Sequence, residues 1–352
     1  MPLDDRAQKA VDVMDEHEHD PMVVSRLTKA MKAQAAAMGR DEARYLVDTY
    51  YQMQDDRKRA ANQVRASEQG ADASPLELVG WLAGHTAAIE HRIESLLKAW
   101  SDAHPVGAWA MSIKGVGPII SAGLLAYIDI RKAPTVGHIW RFAGLDPTIE
   151  WLGRKRAMAA IEQALGRKSG ELLPGDIEAV CAVTGRKAAN VRAMMQYPDA
   201  GGNIPPQTVA QLVATLARKP WNGSLKTLCW KAGECFVKVS GYDDDVYGHY
   251  YLERKAIETE ANEAGEYAAQ AAQCAERVGR NTDAYKAYSQ GKLPPAHIHS
   301  RAKRWAVKLF LAHWHWVAYE CEHGAPPPKP YIIETDPRHT HIVKPPNWPM
   351  PH

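Results

Sequence analysis

Three observations predict a mainly α-helical protein built from many helices. Apolar residues recur at helical spacing over long stretches, the first hundred residues show none of the apolar–polar alternation of a half-buried strand, and proline, glycine and polar clusters separate the periodic stretches. The 352 residues have room for two or three domains of about 150 residues each. With 45% apolar and 24% charged residues, disordered and collagen-like chains are excluded. The formal charge of +2 names no partner, so local charge has to carry that argument. Eleven Trp and fourteen Tyr against three Phe point to interface surfaces where one ring edge stays wet.

Taken in order, Asp41 to Ser67 carries Ala43, Leu46, Val47, Tyr50, Tyr51 and Met53 at helical spacing and then turns densely polar, which predicts an amphipathic helix with a solvated end. Gln69 to Ser74 is a small-residue linker. Pro75 then suits the first turn of a second helix, which runs through Trp81, Ile89, Ile93, Leu97 and Trp100 to the break at His104-Pro105. Residues 105–150 form a compact unit, and residues 151–220 read as an inserted basic helical module containing a loop at Asp199 to Pro206. In the region 221–323, one long helical stretch is expected from Tyr242 to Arg280, a polar connection from Asn281 to Pro295, and a helix over 297–322. The tail, 324–352, holds nine prolines after Gly324 and cannot be regular helix. No internal repeat is visible. The expected divisions are therefore 1–104, 105–150, 151–220, 221–323 and 324–352.

The longest strongly apolar, uncharged stretch, Gly115 to Ile128, has fourteen residues, and a membrane span needs about 20. No membrane partner is expected. The acidic start Met1–Asp5 lacks an apolar signal core, and the five cysteines form no Cys-x-x-Cys pair. Both features predict a cytoplasmic protein with buried thiols.

The sharpest local signal is the stretch from Trp109 to Ile128. A short helix enters a hairpin at Ile113 to Gly117, and Pro118 opens the next helix, where its missing N–H costs nothing. Gly115 and Gly117 bracket Val116, so the amides of all three sit beside a helix amino terminus. That arrangement suits a phosphate, and Lys114 adds a positive charge. This is the pattern of a helix-hairpin-helix element, which grips a nucleic-acid backbone without reading bases. A plain glycine turn between core helices has the same pattern.

A second signal spans Asp176 to Met195. Val180, Cys181, Gly185, Val191 and Met194 match the spacing of a helix-turn-helix, and Arg186, Lys187 and Asn190, with Arg192, fall on or near its second helix. Arg pairs with guanine and Asn with adenine in a major groove. Many helical hairpins that bind no DNA share this spacing. Residues 151–192 hold eight basic and four acidic side chains, including the run Arg154, Lys155, Arg156. Arg301, Lys303, Arg304 and Lys308, interleaved with Trp305, are candidate phosphate contacts, though a solvated helix face reads the same way. His297 with His299 and His313 with His315 lie two apart, which on a helix directs them to different sides. No metal and no cofactor are expected. Asp243, Asp244 and Asp245 read as capping acids. Ser224 is the weak nucleophile candidate, with cationic neighbours and no recognisable base.

Three stretches together resemble the carboxy-terminal domain of the RuvC-like DEDD insertion-sequence transposases of the bridge-RNA-guided type: Lys114-Gly-Val-Gly-Pro118, Ser121-Ala-Gly-Leu-Leu125 and Ile139-Trp-Arg-Phe-Ala-Gly-Leu-Asp-Pro147. A weaker likeness resumes at Trp221 to Trp230, and the segment Arg301 to Lys308 resembles transposase-related proteins of phages and mobile elements. The resemblance implies a DNA-binding scaffold. Members of that family also carry an amino-terminal nuclease with four spaced acids on an α/β scaffold, which the helical first hundred residues do not match. Their catalytic serine would fall in Ala217 to Trp221, which has none, and Ser224 is out of register.

The sequence thus predicts a helical, transposase-like DNA binder of a phage or mobile element, with a helix-hairpin-helix core, an inserted helix-turn-helix-like module and no strand-cleavage activity of its own. The expected contacts are Lys114, Gly115, Val116, Gly117, Pro118, Arg154, Lys155, Arg156, Arg186, Lys187, Asn190, Arg301, Arg304 and Lys308. Two other readings stay open: an active recombinase or nuclease using Ser224, and an RNA-binding or assembly protein. A homodimer through the helices at 41–67 or 242–280 is a further expectation.

Overall fold

The computed structural model describes residues 27–68, 77–195, 207–329 and 342–350. Among them are fifteen α-helices, one 3-10 turn and no strand. The expected start at Pro75, the loop at Asp199 to Pro206, the first residues of the chain and tail residues 330–341 lie outside the described residues.

The chain divides into two compact units. One comprises residues 1–140 and 224–352, and the other is Arg141–Gly223. In the larger unit α1 (Lys29–Ala36) is capped by Thr28, whose hydroxyl accepts from the Met31 N–H. The long helices α2 (Arg40–Glu68) and α3 (Glu77–Asp102) pack along one another. Buried Glu90 of α3 ties them by taking Arg57 at 2.7 Å. After α3 come α4 (Pro105–Met111), α5 (Pro118–Tyr127), a 3-10 turn at Ile130–Lys132 and α6 (Val136–Phe142). Pro105 and Pro118 each occupy a first helical turn, where no N–H is needed.

The second unit is built on α7 (Gly153–Leu165), α8 (Asp176–Thr184), α9 (Ala188–Met195) and α10 (Val209–Ala217). Its core joins Ala157, Ile161, Val180, Val191, Leu212 and Leu216. A capping box starts α10: Thr208 accepts from the Gln211 N–H, and the Gln211 side chain accepts from the Thr208 N–H. The turn between α8 and α9 pivots on Gly185 in the left-handed conformation. One expected core position is shifted here. Met195 is buried at 1% exposure, whereas Met194 is 37% exposed and faces out.

The larger unit continues with α11 (Gly223–Val239), α12 (Tyr247–Glu263), α13 (Ala268–Ala275), α14 (Asp283–Ser289) and α15 (Pro295–His323). The single helix expected over 242–280 is two. The chain turns at Gly265, at φ 83°, where the Gly265 and Glu266 N–H groups bond back to the carbonyls of Asn262 and Ala261 and close α12. The expected polar connection at 281–295 contains α14, because Thr282 caps it through the Tyr285 N–H.

The tryptophan excess goes partly into the core rather than to an interface. Trp100, Trp109 and Trp314 are fully buried, and the first two donate to the carbonyls of Met38 and Pro346. With three Phe in the chain, Trp fills large interior volumes, although the buried Trp314 N–H finds no acceptor among the described residues. The Pro346 contact also shows that tail residues 342–350 return to α4, where Asn347 donates to the Ser112 carbonyl. Cys181 and Cys229 are buried, but Cys321 is exposed.

Candidate nucleic-acid interface

The corner between α4 and α5 follows from three local features. Ile113 and Val116 are buried and anchor it, and the Val116 N–H closes the turn onto the Ile113 carbonyl at 3.0 Å. Gly115 adopts φ 89°, a conformation other residues reach only with strain. Its α-carbon faces α11, where a side chain would meet Val239 and the Cys235 carbonyl. Of the three amides expected to point outward, the Val116 amide is therefore taken. Those of Gly115 and Gly117 bond to no acceptor among the described residues. Gly117 is the residue preceding α5 and offers no side-chain cap, and a side chain there would meet nothing within 4 Å. Gly117 thus stands at the amino terminus of α5, beside the positive end of the helix dipole.

This corner lines a groove of about 960 Å³ in the larger unit. The groove has mixed charge: Arg57, Lys58, Lys231 and Lys238 face it together with Glu90, Glu94, Glu234 and Asp244. Lys114 is engaged inside the protein. Its ammonium lies 2.5 Å from the Asp244 carboxylate and 4.2 Å from the centre of the Tyr242 ring. The Lys114 bond holds the exposed Asp244 carboxyl below its ordinary range. The neighbouring acid is a cap, since Asp245 accepts from the His249 N–H at the start of α12.

In the second unit Arg186, Lys187 and Asn190 share one groove of about 500 Å³. Arg218 and Lys219 line it too, along with Phe142, Met194 and Trp221. No acidic side chain lines it among the described residues. Arg154, Lys155 and Arg156 are exposed in the first turn of α7, where positive charge opposes the helix dipole. Arg156 offsets part of that by donating to the carbonyls of Trp151 and Leu152. Sequence reasoning missed Arg218 and Lys219. The signal was a basic pair before Pro220, but only folding brings it beside Arg186.

The expected contacts on α15 divide. Arg301 points into the fold, donating to buried Glu258 at 2.6 Å and to Gln270, with Tyr267 and Arg254 on the same carboxylate. Burial would raise the Glu258 carboxyl, but the bonds from Arg301, Tyr267 and Arg254 outweigh it and hold it low. Lys308 lies over the Trp140 ring at 4.2 Å, and Arg304 is exposed.

Residues 108–165 match the model of the transposase IS116/IS110/IS902 family. The transposase-like segment thus runs from within α4, through the corner and α5, to the end of α7. It contains the three stretches that carry the resemblance up to Pro147, together with Arg154, Lys155 and Arg156. No curated protein and no solved structure matches the chain. No helix among the described residues is long and apolar enough to cross a membrane.

Next to the transposase-like segment, Ser224 is exposed near the start of α11 and hydrogen-bonds to Tyr127, whose hydroxyl donates to Asp48 at 2.6 Å. Burial, and then the bond to Asp48, raises the Tyr127 hydroxyl above its ordinary value, so it remains a proton donor at neutral pH rather than a base. The four histidines separate as helical spacing dictates. His297, His299 and His313 bond to Tyr288, Tyr251 and Tyr247, and His315 bonds to the Ala133 carbonyl.

Proposed function

We propose that this chain binds DNA in transposition, and that the corner at Lys114 to Pro118 holds the sugar–phosphate backbone. The observation that carries the reading is a pair of unbonded amides, those of Gly115 and Gly117, beside the uncapped amino terminus of α5 within the transposase-like segment. Because Lys114 is paired with Asp244, the main chain rather than a side-chain charge supplies the anion contact. Such a grip is indifferent to base sequence. Arg154, Lys155 and Arg156 of the second unit are exposed phosphate contacts in their own right, and Arg304 is the exposed candidate on α15. Arg301 belongs to the Glu258 network instead. Strand cleavage is not part of the reading, since Ser224 meets a protonated Tyr127 rather than a base.

Gly117→Asp tests the proposal. Space is open at that position, and Asp there caps the first-turn amides of α5 with its own carboxylate and sets a negative charge beside the Gly115 and Gly117 amides, where it repels a phosphate. The expected result is unchanged or raised thermal stability, with duplex affinity lowered for every sequence tried. Unchanged duplex affinity in gel shifts overturns the assignment. In the same preparation, supercoiled plasmid with Mg²⁺ should stay supercoiled. Nicking that Ser224→Ala abolishes would replace the binder with a recombinase.

A further inference from the structure

The groove of the Arg141–Gly223 unit has a composition that the corner does not explain. Its charged lining residues, Arg186, Lys187, Arg218 and Lys219, are all cations. Between them lie apolar surfaces left in contact with water: Phe142 is 42% exposed and Met194 37% exposed, and Trp221 also lines the space. Exposed ring faces among cations fit a ligand that alternates phosphates with flat bases. A simple anion would use the charge and leave the apolar floor unoccupied.

The shape selects among nucleic acids. For a helix to read a duplex it must project into a major groove about 12 Å wide. Here α9 does not project. Lys187, just before it, and its residues Asn190 and Met194 line a concavity together with residues 218–222. A volume of about 500 Å³ is on the scale of a small-ligand pocket and admits a nucleotide or two, not a double helix. The latter segment is fixed in place. The Asn222 N–H donates to the Phe142 carbonyl at 2.9 Å. The Trp221 ring packs on Gly144, which is at φ 66°, so closely that a side chain at 144 would lie 2.7 Å from it. A preformed groove of this kind spends little binding energy on ordering itself.

We infer that this groove binds single-stranded nucleic acid, with phosphates on Arg186, Lys187, Arg218 and Lys219 and a base stacked against Phe142. The site lies in a different unit from the corner and does not require the duplex reading to hold. Both DNA and RNA strands present this chemistry, so the assay uses fluorescein-labelled (dT)12 and (rU)12 beside a 24-base-pair duplex. Anisotropy of the full-length protein is followed across a salt series.

Lys187→Gln with Lys219→Gln, both exposed positions, should flatten the logarithmic salt slope for single strands by about 1.4, at about 0.7 per lost phosphate contact. Phe142→Ala should weaken single-strand binding by about fivefold or more and leave the slope unchanged, because stacking is not electrostatic. Binding of either oligomer, or of both, supports the site and identifies the strand it takes. Neither variant should alter duplex binding at the corner, and Gly117→Asp should not alter single-strand binding. The inference is overturned if Phe142→Ala leaves both oligomers bound as before, or if Gly117→Asp removes single-strand binding while the lysine pair does not. Loss of duplex binding alone in Gly117→Asp leaves this groove standing.

Discussion

The two grooves of this protein contain similar numbers of lysines and arginines but present different amounts of charge. In the larger unit the corner at Lys114 to Pro118 opens onto a groove where Glu90, Glu94, Glu234 and Asp244 face the cations, and Lys114 itself is paired. In the Arg141–Gly223 unit no acid lines the groove among the described residues. The sequence totals agree: residues 141–223 carry a net +4 and the remainder of the chain a net −2. A phosphate at the first site is therefore met by amides and a helix dipole, whose strength depends on geometry. At the second it is met by side-chain charge, whose strength depends on salt. A count of basic residues along a sequence does not distinguish these cases, because what matters is which cations the fold has already neutralised.

Four perturbations break or sharpen the contrast. The largest effect is expected from Glu258→Ala in the larger unit, which strands Arg254 and Arg301 beside a buried site. Removing one partner of such a pair costs about 3–5 kcal/mol. Calorimetry should show the larger unit unfolding earlier, and a single unchanged transition would refute the role given to this carboxylate.

Lowering the pH from neutral to about 5.5 should act chiefly on the same unit. Burial pushes the His313 imidazole down to about 4, against an ordinary value of about 6.5 when unfolded. The folded state thus binds fewer protons than the unfolded state between those values. Stability is complete above pH 6.5 and falls as the pH drops toward 4, by about 3 kcal/mol in all for this residue. His315, lowered by burial as well, acts with the same sign. Residues 141–223 contain no histidine, so protection factors from hydrogen exchange, taken relative to each amide's intrinsic rate, should fall at pH 5.5 in the larger unit and hold in the other. An equal fall in protection in both would mean that another group titrates.

Gly144→Ala attacks the basic groove through its wall. The left-handed backbone and the overlap with Trp221 together should cost about 2 kcal/mol and loosen residues 218–222. Single-strand binding should weaken while the corner is untouched, and an unchanged melting temperature would show that Trp221 has another place to go. The smallest effect is expected from Asp244→Asn, which releases Lys114. Duplex affinity should rise a few-fold and the salt slope steepen by about 0.9, the increment for one added phosphate contact. If the slope does not change, Lys114 does not reach the backbone even when free.

Much of the fold was readable in advance for local reasons. Pro105 and Pro118 stand where helices begin, and the positions of Val47, Ile93, Leu97 and Trp100 on long periodic stretches foretold buried faces, whereas Pro295, expected in a connection, opens the last helix. The breaks at Gly265 and before Asp283 were harder to read. Glu- and Ala-rich sequence continues across the first, and the second depends on one threonine hydroxyl reaching an amide three residues on. The corner was legible as a turn beside a helix amino terminus, because two glycines and a proline specify it within five residues. That Val116 would spend its amide on Ile113 was not, although the contact is local, since a turn type follows from dihedral angles that Gly-Val-Gly leaves open.

The sequence by itself determined the helices, the glycine corner, the transposase-like stretch and the concentration of positive charge in its middle third, since each depends on residues close together in the chain. Tertiary structure decided which charges are available. Asp244 reaches Lys114 from 130 residues away, Glu258 takes Arg301 from another helix, and Arg218 and Lys219 line one groove with Arg186. Such pairings depend on distances in space, and for side chains brought together from remote segments those distances exist only once the core has packed.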